Sequence, residues 1–105
     1  MDRRERLARN ERRIREVNEE AELVARDVLG DFDPAETEVE FLCACGRARC
    51  DEVVLLSIAE YEAAHAEPHR FIVVPGHESL ELERVVEEHA SYFVVEKLPQ
   101  FQAPA

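Results

Sequence analysis

Three cysteines fall within eight residues, Cys43-Ala44-Cys45-Gly46-Arg47-Ala48-Arg49-Cys50, and the chain has no others. An odd, clustered set of thiols is not a disulfide framework. In a reducing compartment such a set binds metal or does redox chemistry. The C-x-C-x4-C spacing brings three sulfurs onto one loop, and the small Ala44 and Gly46 let the backbone wrap closely around them. Arg47 and Arg49 are expected to favour the ionised thiolates that a metal requires. Zinc takes four ligands in a tetrahedron, and three thiolates with one histidine make a usual structural set. The chain is therefore expected to fold around one Zn2+ bound by Cys43, Cys45, Cys50 and a histidine. A thiol redox sensor is the competing reading, but the strand–CxxC–helix arrangement that supports redox dithiols is absent.

A metal suits the size of the chain. Its 105 residues make one domain, of which the first third reads as a separate long helix. About 70 residues remain for a compact body, a size at which a metal or a partner often supplements the core. Residues 3–29 contain no proline or glycine and are rich in Arg, Glu, Ala and Leu, which predicts one helix stopped at Gly30. Leu7, Ile14, Val17, Ala21, Val24 and Val28 follow heptad spacing, with Asn10 at the polar seam position. Such a helix either lays its stripe on its own body or pairs with a partner, where a buried Asn10 would set the register.

The body reads as α+β. Residues 38–42 alternate into Cys43 as a strand would, and 52–56 form a second strand after the cysteine loop. Ser57 with Glu60 forms a capping box that starts a short helix, which Pro68 ends. Residues 71–74 make a third strand, stopped by Pro75-Gly76. In the tail, Leu82, Val85, Val86 and His89 carry helical spacing. The β-branched and aromatic content of residues 85–86 and 92–95 favours a hairpin instead. The expected organisation is an amphipathic helix at 1–30, a zinc-stabilised domain with a small mixed or antiparallel sheet at 36–98, and a flexible tail at 99–105.

Four histidines compete for the fourth ligand position: His65, His69, His77 and His89. If residues 52–56, the short helix and residues 71–74 form a right-handed parallel unit, His69 lies at the same end as the cysteines. If the third strand runs beside the first instead, the rigid Pro75-Gly76-His77 turn delivers His77 to the loop. Beyond these positions the chain resembles a family of small, largely uncharacterised actinobacterial proteins. The resemblance covers nearly the whole chain. It rests on Phe41-Leu42-Cys43-Ala44-Cys45-Gly46, Cys50, Glu60-Tyr61-Glu62, Arg70-Phe71, Pro75-Gly76-His77-Glu78 and Val94-Val95-Glu96-Lys97. In that family the positions of His65 and His69 need not be histidine, so the resemblance implies His77 as the ligand. It also implies an intracellular protein, and carries no activity to transfer.

Charge narrows the functional classes. The net charge is −11, yet residues 1–15 hold seven arginines and a balance of +4, leaving −15 on the remainder. A body that acidic repels phosphate backbones, so only the arginine-rich end could meet nucleic acid. No glycine-rich phosphate loop or Ser-His-Asp grouping is present. Glu78 beside His77 would suit a deaminase-like base, but the paired-cysteine arrangement of such sites is missing. No apolar run reaches membrane-spanning length and the N-terminus lacks a secretory stretch, which leaves a cytoplasmic location. The expectation is a non-enzymatic, zinc-stabilised interaction or regulatory module. Its helix at 3–29 would mediate self-association or contact with a protein partner.

Overall fold

A computed structural model of the chain describes residues 2–102. Helix α1 (Arg3–Leu29) comes first, followed by strands β1 (Glu38–Leu42) and β2 (Val53–Ser57) and helix α2 (Ile58–Ala64). Strands β3 (Arg70–Val73), β4 (Glu83–Glu88) and β5 (Phe93–Lys97) complete the body, and a 3-10 turn occupies Pro99–Phe101. The architecture is α+β, with every strand pair antiparallel.

Local chemistry explains the element ends. Asp2 accepts a hydrogen bond from the Glu5 N–H and starts α1, while Gly30, at φ 65°, returns its N–H to the Arg26 carbonyl and ends it. The Ser57–Glu60 capping box is complete, each side chain satisfying the other's backbone N–H. The tail is a hairpin. Val85 pairs with Val95 and Glu87 with Val94, so Val86 is the extra residue of a β-bulge. That bulge leaves two adjacent valines half-buried, which is why this stretch also mimics helical spacing. At the start of the 99–105 segment, Phe101 lies under the Arg4 guanidinium and Gln102 donates to the Lys97 carbonyl. Residues 103–105 fall outside the described residues.

The strands divide into two sheets, β1-β2 and β3-β5-β4. The parallel unit of second strand, short helix and third strand does not form, because β3 pairs with β5 and not with β2. A two-stranded sheet such as β1–β2 is marginally stable at best alone. The β1–β2 hairpin buries one face, whereas β3 and β5 bury both, in a core that includes Phe41, Leu56, Ile58, Tyr61, Phe71 and Ile72; Phe41 stacks on Tyr61 with centroids 4.1 Å apart. Each such side chain contributes roughly 1.5–3 kcal/mol by leaving water.

The first two-thirds of α1 lie on this body through polar side chains as much as apolar ones. Asn18 uses both amide atoms on Leu42, accepting from its N–H at 2.8 Å and donating to its carbonyl at 2.9 Å. Asn10 donates to the Gly46 carbonyl at 3.1 Å, so it serves the cysteine loop in this chain instead of a helix seam. Arg15 donates to the carbonyls of His65, Pro68 and Arg70, satisfying the chain's exit from α2. Glu11 and Glu83 both accept from Lys97, and all three side chains are buried. Burial, with a hydrogen bond toward Glu83, pushes the Glu11 carboxyl up to about 9, so it keeps its proton at neutral pH.

His65 is a half-buried neutral ring whose Nε2 atom is buried. Its Nδ1 meets the Tyr61 carbonyl at 3.0 Å and its Nε2 has no partner. Burial depresses its pKa from 6.5 to about 4. Because the folded value is lowered, the stabilisation is complete above about 6.5 and is lost as pH falls toward about 4. The loss amounts to about 3 kcal/mol. A His65→Gln variant should therefore lose less stability than the parent chain between pH 7 and pH 4.5, read by urea unfolding at both values. Equal losses in the two proteins would exclude His65 as the source.

Candidate metal centre

The site is assembled from both sheets. Cys43 and Cys45 follow β1, Cys50 precedes β2, and His77 lies in the turn after β3. Local bonds shape the loop: the Cys43 N–H donates to the Glu52 carbonyl and the Cys50 N–H to the Arg47 carbonyl. Gly46 has φ 75°, and a Cβ there would come within 2.7 Å of the Leu7 carbonyl oxygen. Glycine is required on both counts, since the loop turns through the left-handed region directly beneath α1. On the other side, the Ala44 N–H donates to the Ile72 carbonyl, which seats the loop against β3.

Cys43, Cys45, Cys50 and His77 converge so that one donor atom from each lies within 4.8 Å of the others. His77 Nδ1 is 3.6 Å from Cys43 Sγ and 3.5 Å from Cys50 Sγ. Edges of a zinc tetrahedron with bond lengths of 2.0–2.3 Å are about 3.5–3.8 Å. These donors therefore fit a tetrahedral metal ion. The Pro75-Gly76 turn makes this possible, with the His77 N–H closing it onto the Val74 carbonyl at 2.8 Å.

The other histidines are elsewhere. His65 lies against Tyr61, and His89 stacks on Tyr92 and meets Glu87. His69 is half-buried, and its carbonyl accepts from the Lys97 N–H. Among the described residues, the only group arranged to hold a metal is the Cys3His set.

The surroundings of the donors complete the picture. His77 Nε2 is 2.8 Å from a Glu52 carboxylate oxygen, so Glu52 orients the ring with Nδ1 toward the sulfurs. A carboxylate behind a histidine in this way sets the tautomer and raises the basicity of a metal ligand. Sequence reasoning missed Glu52, although its position two residues after Cys50 places it beside the loop. The Val74 N–H points at Cys43 Sγ from 3.2 Å. Glu78 accepts from the Gly76 N–H and holds the turn, so its carboxylate serves structure here.

Without a cation the three thiols cannot all ionise. The hydrogen bond that Cys43 shares with Cys45, followed by burial, pushes the Cys43 thiol far up. The same hydrogen bond draws Cys45 down to about 4, against the cost of its burial. Burial raises Cys50 as well. The help Cys45 receives from Arg47 comes through the backbone N–H, while the Arg47 and Arg49 side chains are exposed. This corrects the expectation that their guanidinium groups supply the activation. A divalent cation is the partner that would allow all three sulfurs to be thiolates together.

No helix among the described residues is long and apolar enough to cross a membrane. No family model, curated protein or solved structure matches the chain.

Proposed function

We propose that this chain is a zinc-pinned interaction module with no catalysis of its own, in which Cys43, Cys45, Cys50 and His77 bind Zn2+ in a closed tetrahedron. The observation that carries this reading is the convergence of four donors from two sheets, with Glu52 already oriented behind His77. The two sheets share no strand pairing, so a metal at this point would tie the β1–β2 loop to the turn after β3. Four protein ligands leave no open position for water or substrate, which makes the ion a structural element. Three free thiols suit a reducing, cytoplasmic setting. With the metal as a pin, the surface of α1 becomes the part that meets a protein partner.

Metal analysis of the purified chain should find one zinc per chain. His77→Ala should lose it or bind it at least about 10-fold more weakly, while His69→Ala should retain it. Full retention of zinc in His77→Ala would refute the ligand set. A disulfide forming among these cysteines under mild peroxide, with zinc released, would favour the redox reading instead.

A further inference from the structure

The backbone of the β1–β2 hairpin leaves one strand edge open. Opposed residues in an antiparallel pair alternate between those that exchange both backbone hydrogen bonds and those whose N–H and C=O groups point away from each other. Leu42 gives both of its backbone groups to Asn18, so the Leu42–Val53 pair is of the second kind. The bond from the Cys43 N–H to the Glu52 carbonyl agrees with that alternation, and the Glu40–Leu55 pair has the same form two residues on. The N–H and C=O groups of Val53 and Leu55 therefore point sideways, away from β1. Among the described residues none of these four groups has a partner.

The other edges are closed or blunted. Asn18 caps β1 at Leu42, and the Ala44 N–H bonds the Ile72 carbonyl on the side of β3 away from β5. Strand β4 carries Arg84, Glu87 and Glu88 and the bulge at Val86, charges and a kink of the kind that keep an edge from pairing. Strand β2 has none of these devices. It reads Val-Val-Leu-Leu-Ser, without charge, proline or bulge, and Val53 and Leu55 are 46% and 49% exposed. A regular, uncharged edge with free donors and acceptors is a template for another strand.

The spacing of the open groups identifies the strand that fits. Val53 and Leu55 lie symmetrically about Val54. A second β2, turned antiparallel about a two-fold axis at Val54, sets Val53 opposite Leu55 of the partner subunit and Leu55 opposite the partner subunit's Val53. Both pairs are then hydrogen-bonded, and all four open groups of each copy are satisfied. The exposed Val53 and Leu55 side chains meet across the same junction. Charge selects the direction. Asp51 and Glu52 precede β2, so a parallel pairing in register would set like charges side by side, whereas the antiparallel one holds them at opposite ends of the strand. A two-fold is also closed, joining two copies and no more. We infer that β2 pairs with β2 of a second copy, so that the two hairpins form one four-stranded antiparallel sheet across a dimer.

The test uses the full, zinc-loaded chain in sedimentation equilibrium and amide hydrogen exchange. At about 200 µM the parent chain should have twice the chain mass. Val53→Pro removes an outward N–H without touching the ladder to β1, and proline is tolerated at the first residue of an edge strand. It should weaken the dimer at least about 30-fold, since the two-fold loses that hydrogen bond twice. Leu55→Lys, which keeps every backbone group and puts a charge on the edge, should weaken it comparably and carries the test if the proline variant fails to fold. Circular dichroism confirms the fold of each variant, and zinc content in the same samples tests the metal pin separately. The Leu55 amide should exchange at least about 100-fold more slowly in the dimer than in either monomeric variant, while Val54, bonded within the ladder, stays slow in all of them. A monomeric parent chain would overturn the inference, as would a dimer indifferent to both substitutions. A dimer whose Leu55 amide exchanges freely would place the contact elsewhere, and assembly beyond two copies would refute the closed pairing.

Discussion

Replacing Lys97 by methionine should lower the stability of the chain by about 3–5 kcal/mol, the usual cost of breaking a buried ion pair by removing one partner. For a domain of this size that is a fall in melting temperature of about 15–30 °C. Lys97 is the chain's one lysine, and its ammonium group serves both Glu11 and Glu83 where all three side chains are buried. It also lies 4.7 Å from the centroid of the Phe71 ring, so the same charge is attracted to an aromatic face. The two carboxyl groups should respond differently to substitution. Glu11 already carries a proton at neutral pH, so Glu11→Gln, which mimics that form and takes up no proton on folding, should raise stability at pH 7 by about 3 kcal/mol. The sign of its pH effect follows from its raised pKa. The folded chain binds a proton that the unfolded chain releases above about 4.5, so this group lowers stability as pH rises from there to about 9. Glu11→Gln should remove that decline. Urea unfolding at pH 7 and pH 9 measures both effects. A Glu11→Gln variant as damaged as Lys97→Met would show that Glu11 is ionised in the folded chain.

Removal of the metal should have a comparable effect through a different part of the molecule. On the zinc reading, a Cys45→Ser variant should purify without stoichiometric zinc and melt at least about 15 °C below the parent, and a strong chelator should bring the parent to the same state. Structural zinc sites in small domains contribute about 10–16 kcal/mol of apparent binding free energy, which is also folding free energy. Cys45 is fully buried and its thiol is lowered chiefly by the Cys43 hydrogen bond, so in the metal-free chain the loop would keep a buried thiolate among thiols, the His77 ring and backbone N–H groups, with no cation beside it. Differential scanning calorimetry with and without chelator tests this. An unchanged melting temperature would mean that the two sheets hold together without the ion, and the site would lose its role as a pin.

Much of the architecture was legible because its signals are local. An uninterrupted helical run up to Gly30, a Ser57–Glu60 pair and alternating strands on either side of the cysteine loop each act over a few residues. They appear in the structure where the sequence places them. The Cys3His grouping was legible in part. The three cysteines share one loop, but His77 is brought to them only by the way β3 lies against that loop, and the sequence alone allows a parallel arrangement that favours His69. Hardest to read was the polar interior. Glu11, Glu83 and Lys97 are far apart in the chain, and nothing near any of them signals burial. The one hint is that a chain with twelve arginines uses lysine at a single position. Asn10 misled for a related reason. Its seam position suits a partner helix, yet the Gly46 carbonyl of the chain's own loop lies within reach and takes the bond.

The two asparagines that fasten α1 to the cysteine loop have a consequence for what lengths the chain can have. Asn10 and Asn18 grip the loop at Gly46 and just before it at Leu42, eight residues apart on the helix. Adding or deleting a single residue between them would turn one amide about 100° around the helix and shift it about 1.5 Å along it. Only one of the two grips could then be kept. This stretch of α1 therefore works as a fixed-length gauge, intolerant of insertion and deletion, whereas the helix beyond Asn18 carries no second amide to keep in phase.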